Sequence, residues 1–120
     1  MPLQIINSFA TWILKKRIHQ MELFLKYPHE VQEELLFNLI KASENTQLGK
    51  KYDFSSMKSY TSFSERIPVS TYEELEPLIE KTRQGEQNVF WHSNIKWFAK
   101  SSGTTNAKSK FIPVSSEALE

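Results

Sequence analysis

The chain has 120 residues, 39% hydrophobic and 24% charged, the composition of one small folded domain rather than of a disordered chain. Its formal net charge of +1 supplies no global field that would recruit a nucleic acid or a membrane, so neither is expected as a partner. It has no cysteine, which excludes disulfides and thiolate chemistry and makes a reducing cytoplasm the expected setting.

The first predicted element is a helix. Ile6, Ala10, Leu14, Ile18, Met21 and Leu25 recur at intervals of three and four, which places them on one side of a helix. The apolar stretch from Ile5 to Leu14 precedes the basic run Lys15-Lys16-Arg17, the reverse of the order in a secretory signal, and is too short to span a bilayer. It is expected to be a buried helix face, with the basic run solvated. Pro28 suits the first turn of a second helix. Its stripe is Val31, Leu35, Leu39 and Ala42, widened by Leu36 and Ile40. Two helices joined this tightly suggest an antiparallel hairpin over 1–45.

From Thr46 to Arg66 no period is visible, and loops and short turns pinned by Tyr52, Phe54, Tyr60 and Phe63 are expected. Ser70 and Glu73 have the spacing of a capping box. Pro77 lacks a donor and clashes with a preceding turn, so two short helices are expected, with Pro77 opening the second. Gly85 fits the left-handed position past the helix end. Residues 95–99 and 111–114 read as strands, with Pro113 marking an edge or an end. Ser115 is placed to cap a helix beginning SEALE, which has one turn before Glu120. One turn is not stable alone, so the chain is expected to be a piece of something larger.

Between the two strands lies KSSGTTNAKSK, from Lys100 to Lys110. No carboxylate occurs from 87 to 116. A Ser/Thr-rich surface turn has this composition, and so does a loop that holds a polyphosphate. Hydroxyls and exposed backbone N–H groups cradle phosphoryl oxygens, glycine lets the backbone come close, and lysine supplies a point charge. The nucleotide-hydrolase pattern G-x-x-x-x-G-K-[ST] does not fit, because the second glycine and the following helix are both missing. Ser101 and Ser102 do not form a nucleophile elbow. His19, His29 and His92 lack the spacing of a metal site, and no metal-ligand set is expected. Trp91, Trp97 and Phe98 near the loop have faces on which a base can stack; Trp97 and Phe98 are read as core.

SSGTTNAKSKFIP is similar to the ATP-binding motif of the auxin-responsive promoter family, the Gretchen Hagen acyl-acid amido synthetases of the adenylate-forming superfamily. Ser101, Ser102, Gly103, Thr104, Thr105, Lys108, Lys110 and Pro113 match the pattern in place. Asn106 and Ala107 depart from it, where plant members often carry glycine. Upstream, NTQLGKKYDF, Phe63, Ile67-Pro68-Val69, Tyr72-Glu73, Pro77 and Gly85 resemble the family's lead-in. The likeness covers most of the chain from about Asn45.

The resemblance implies an α/β fold, the N-terminal portion of a large adenylate-forming domain. In it a helical hairpin (1–45) precedes a lead-in and ATP phosphate loop (46–120). It implies ATP as substrate with Mg²⁺, and nucleotide binding by Ser101, Ser102, Gly103, Thr104, Thr105 and Lys110. The implied reaction adenylates a small carboxylic acid and passes the acyl group to an amino acid, and the 120 residues alone are expected to be inactive. An acyl-CoA ligase of the same superfamily and a non-catalytic interaction module remain the alternatives at this point.

Overall fold

The computed structural model describes residues 2–102 and 108–120. Among these the chain is mostly helical and carries one two-stranded antiparallel sheet. It divides into two units, residues 1–36 and 37–120.

In the first unit, helix α1 runs Pro2–Lys26 and is followed, after Tyr27, by α2, Pro28–Ser43, which continues into the second unit. Pro28 occupies the first position of α2, as its fixed φ and missing N–H favour. Tyr27 N–H donates to Leu23 O at 2.8 Å and Val31 N–H donates to Tyr27 O at 3.1 Å. Helical hydrogen bonding thus flanks the junction on both sides, without the two- to five-residue loop that joins an antiparallel pair. The expected burial of α1 is corrected. Ile6, Trp12, Leu14, Met21 and Leu25 are 59–77% exposed. Periodicity identified an amphipathic helix, but burial requires an opposing surface that covers the stripe, and these side chains are left mostly exposed.

The second unit has a small core of Ile40, Phe54, Met57, Ile79 and Val89, which are 2–8% exposed. From α2 it takes Ile40 and Ser43, whereas Leu35 and Leu39 of the expected stripe stay about half exposed. The segment expected to be irregular contains three short elements. They are α3 (Gln47–Lys51), a 3₁₀ turn (Phe54–Ser56) and α4 (Tyr60–Arg66). Thr46 caps α3 by accepting from Gly49 N–H at 3.0 Å, and Ser59 and Ser62 form a reciprocal box at the start of α4. Gln47 and Leu48 N–H donate to Asn88 and Val89 carbonyls at 2.9 and 3.1 Å, which satisfies two free donors of α3's first turn from far along the chain. Phe54 is buried; Tyr60, expected to pin the segment, is 64% exposed. Asp53, in the left-handed region at φ 51°, accepts from the Ser56 and Ser55 hydroxyls. These bonds, and then Arg66, hold its carboxyl below the usual range.

Helix α5 spans Tyr72–Arg83 without a break. This corrects the expectation of two helices. Pro77 withholds one N–H from the Glu73 carbonyl, but the helix is closed firmly at both ends and one missing bond does not divide it. The N-terminal capping box is Thr71 with Glu74, one residue later than expected: Glu74 Oε2 accepts from Thr71 N–H at 2.7 Å. Ser70 instead donates its hydroxyl to Pro68 O. At the other end Gly85 has φ 101°, Gly85 N–H donates to Thr82 O, and Glu86 N–H donates to Lys81 O, a Schellman closure. Thr71→Ala should therefore cost about 1 kcal/mol, and Ser70→Ala close to nothing, in urea unfolding. Equal losses would mean that the cap is misassigned.

Strands β1 (Trp97–Lys100) and β2 (Phe111–Val114) pair antiparallel, Lys100 opposite Phe111 and Trp97 opposite Val114. Helix α5 packs against β2. Trp97, read as core, is 50% exposed, as is its same-face neighbour Ile112 at 54%; Phe98, Phe111 and Pro113 face the other way and are less exposed. A 3₁₀ turn at Glu117–Leu119 ends the chain, and Ser115 Oγ accepts from Ala118 N–H at 3.3 Å. No helix among the described residues is long and apolar enough to cross a membrane.

Candidate functional site

The β1–β2 ladder continues one step beyond the strands. Ser101 N–H donates to Lys110 O at 2.9 Å, and Lys110 N–H donates to Ser101 Oγ at 3.0 Å. Ser101 and Lys110 thus stand opposite each other, at the neck of the segment singled out in the sequence. Of the six residues expected to bind nucleotide, Ser101 and Lys110 are brought together and partly buried, and Ser102 follows, exposed. Gly103, Thr104 and Thr105 lie outside the described residues.

The ammonium of Lys110 sits between two groups of the first turn of α5. Its Nζ lies 5.3 Å from the centre of the Tyr72 ring and 3.8 Å from Glu73 Oε1. Both side chains of the ion pair are substantially exposed, so the pair holds Lys110 weakly and leaves it exchangeable. Because Glu74 serves the cap, Glu73 is free to turn toward the lysine. Sequence reading missed this carboxylate, since the stretch from 87 to 116 is free of acid along the chain but not in space. The only signal was the pair Tyr72-Glu73 within the lead-in.

Tyr72 makes a second connection. Its hydroxyl accepts from Phe111 N–H at 2.9 Å and lies 3.3 Å from Phe111 O, to which it donates. The Phe111 ring in turn carries the Arg83 guanidinium at 3.9 Å and the Lys100 ammonium at 5.9 Å from its centre. Three cations from α5, β1 and the neck therefore gather around two aromatic rings. Beside them opens an apolar concavity of about 450 Å³, lined by Tyr72, Leu75, Phe90, Trp91, Ile95 and Phe111 among others. Trp91 belongs to its wall and lies 4.7 Å, ring to ring, from His92. Glu117, next in the chain to the lining residue Ala118, is held below the usual carboxyl range by its backbone N–H and then by the Ser93 hydroxyl at 2.9 Å.

The donor set at the neck suits an anion: hydroxyls at Ser101, Ser102 and Ser109, and one exchangeable ammonium. It does not suit a bare cation. Among the described residues no three His, Asp or Glu side chains converge to hold a metal ion.

The comparisons with known proteins agree with the sequence motif. Residues 17–120 match the GH3 family N-terminal domain. The chain is 30% identical over 106 residues to the indole-3-acetic acid-amido synthetase GH3.2 of Arabidopsis thaliana, covering 88% of this chain and 19% of that protein. It is 29% identical over 104 residues to the jasmonoyl–L-amino acid synthetase JAR4 of Nicotiana attenuata, covering 86% of this chain and 18% of that protein. The chain thus spans less than a fifth of the length of these relatives. With a family match over nearly its whole length, and with the motif and its lead-in in place, the chain belongs to the GH3 family, of which it carries N-terminal domain sequence.

Proposed function

We propose that this chain supplies the ATP phosphate loop of an acyl-acid amido synthetase. The observation that carries the reading is the neck itself. Ser101 and Lys110 are locked opposite each other at the base of a hydroxyl-rich segment in a family whose named relatives are amido synthetases. In the reaction, a carboxylate oxygen of the acid attacks the α-phosphorus of ATP, and the bond to the β-phosphate oxygen breaks to release pyrophosphate. The amine of an amino acid then attacks the acyl carbonyl, loses a proton, and displaces AMP.

The part of this chain is electrostatic. Serine hydroxyls and loop N–H groups donate to the β and γ phosphoryl oxygens. Lys110 leaves Glu73 for the phosphate and neutralises charge that grows on the departing pyrophosphate. The segment has no carboxylate that would hold Mg²⁺; bound together with the nucleotide, the ion would supply further charge neutralisation. The adenine, ribose and acyl subsites belong to the rest of a whole synthetase, so the 120 residues alone carry no turnover. The cysteine-free composition suits a cytoplasmic enzyme.

AMP release by the whole synthetase that carries this segment provides the test. Turnover should require an acid, ATP and an amino acid. If CoA replaced the amino acid, the protein would be an acyl-CoA ligase; if no acid-dependent pyrophosphate formed, the phosphate loop reading would fail.

A further inference from the structure

We infer that Tyr72 is the positioning residue of the phosphate loop, setting the place of Lys110 from the first turn of α5. This rests on the reading of the loop given above. Lys110 is exposed enough to sample many rotamers, and its long flexible stem loses that freedom when the ammonium is held in one place. Two contacts restrict it. The backbone on its C-terminal side is clamped by the Tyr72 hydroxyl, which both accepts from Phe111 N–H and donates to Phe111 O. The ammonium is held over the ring of the same tyrosine. One side chain thus holds both the ammonium and the backbone of the residue next to the lysine, while Ser101, from the opposite strand, holds Lys110's own N–H. Glu73 is a weaker, exchangeable third contact that the phosphate replaces. Tyr72 sits on a capped helix that packs against β2, so the clamp is mounted on regular structure and not on the loop.

The test uses the whole synthetase and three variants: Tyr72→Phe, Lys110→Ala and the double substitution. Tyr72→Phe keeps the ring and removes only the hydroxyl. It should raise the KM for ATP about three- to tenfold while leaving the KM for the acid and the melting temperature nearly unchanged. The Phe111 amide should exchange faster with solvent. In the Lys110→Ala background the same substitution should add almost nothing, because Tyr72 acts through the lysine. If Lys110→Ala raises the KM for ATP but Tyr72→Phe does not, or if the two effects simply add, the positioning role is wrong and the loop reading stands. If Tyr72→Phe weakens ATP and acid alike together with the melting temperature, the tyrosine is only structural. If Lys110→Ala itself leaves ATP use intact, the lysine holds no phosphate and the positioning role falls with it.

Discussion

Gly49→Ala is expected to destabilise the fold by on the order of 3 kcal/mol, the upper end of the usual cost of overpacking. Gly49 is buried in α3, and a Cβ there would lie 2.9 Å from the Glu44 carbonyl oxygen and closer still to that of Ser43. Both are backbone atoms, which cannot rotate aside as a side chain would. The Ser43 carbonyl is also fixed in place: it accepts from Thr46 N–H at 3.0 Å and from Thr46 Oγ1 at 2.6 Å. Thr46 is fully buried, and its hydroxyl accepts from Gly49 N–H. Moving α3 away from the end of α2 would break these bonds and also those from Gln47 and Leu48 to Asn88 and Val89. Gly85 is the control. It has φ 101° and nothing within 4 Å of an added Cβ, so Gly85→Ala should cost only about 1–2 kcal/mol, from backbone conformation alone. Urea unfolding followed by tryptophan fluorescence ranks the two. A Gly49→Ala cost no larger than that of Gly85→Ala would show that the end of α2 and α3 are not in contact as described.

The contrast between these glycines also explains what the sequence made legible. Gly85 was readable because a helix end and its left-handed residue are neighbours in the chain. Gly49 was not, because its constraint is a close approach between two backbones, and no pattern of residue types announces one. The same distinction holds elsewhere. The α1 stripe was visible as periodicity, but its burial depended on a partner surface that periodicity does not report. The short helices between Thr46 and Arg66 have fewer than two full turns each, too few to show a period, and α3 draws donors' partners from residues about forty positions away. The cap of α5 slipped by one because Ser70-Thr71 and Glu73-Glu74 offer two hydroxyls and two carboxylates at the same spacing. That slip concerned the site directly. Once Glu74 takes the cap, Glu73 becomes the counter-ion of Lys110. The neck was within reach of the sequence, since two strands flanking the loop imply that their ends meet. Tyr72 and Glu73 were not, being thirty-eight and thirty-seven positions from Lys110.

Lys110→Ala should lower ATP-dependent pyrophosphate release by the whole synthetase roughly tenfold to over a hundredfold, the loss of one charge-assisted contact of about 1.5–3 kcal/mol. Lys110 is a stronger candidate than Lys108 because its backbone is locked to Ser101 on one side, while Lys108 is exposed. The pair with Glu73 does not protect against the loss. An exposed pair at 3.8 Å is worth less than 1 kcal/mol, whereas a triphosphate offers several charged acceptors to the same ammonium. Binding of the acyl acid should be unchanged, which separates a phosphate role from a general weakening of the site. On the proposed loop reading, Thr104→Val should act in the same direction by removing a hydroxyl while keeping its shape, and Gly103→Val should be worse, because a side chain there would obstruct the close backbone approach that the proposal requires. Melting temperatures of the variants check folding. If Lys110→Ala and Thr104→Val both left pyrophosphate release intact, KSSGTTNAKSK would be a plain surface turn between two short strands.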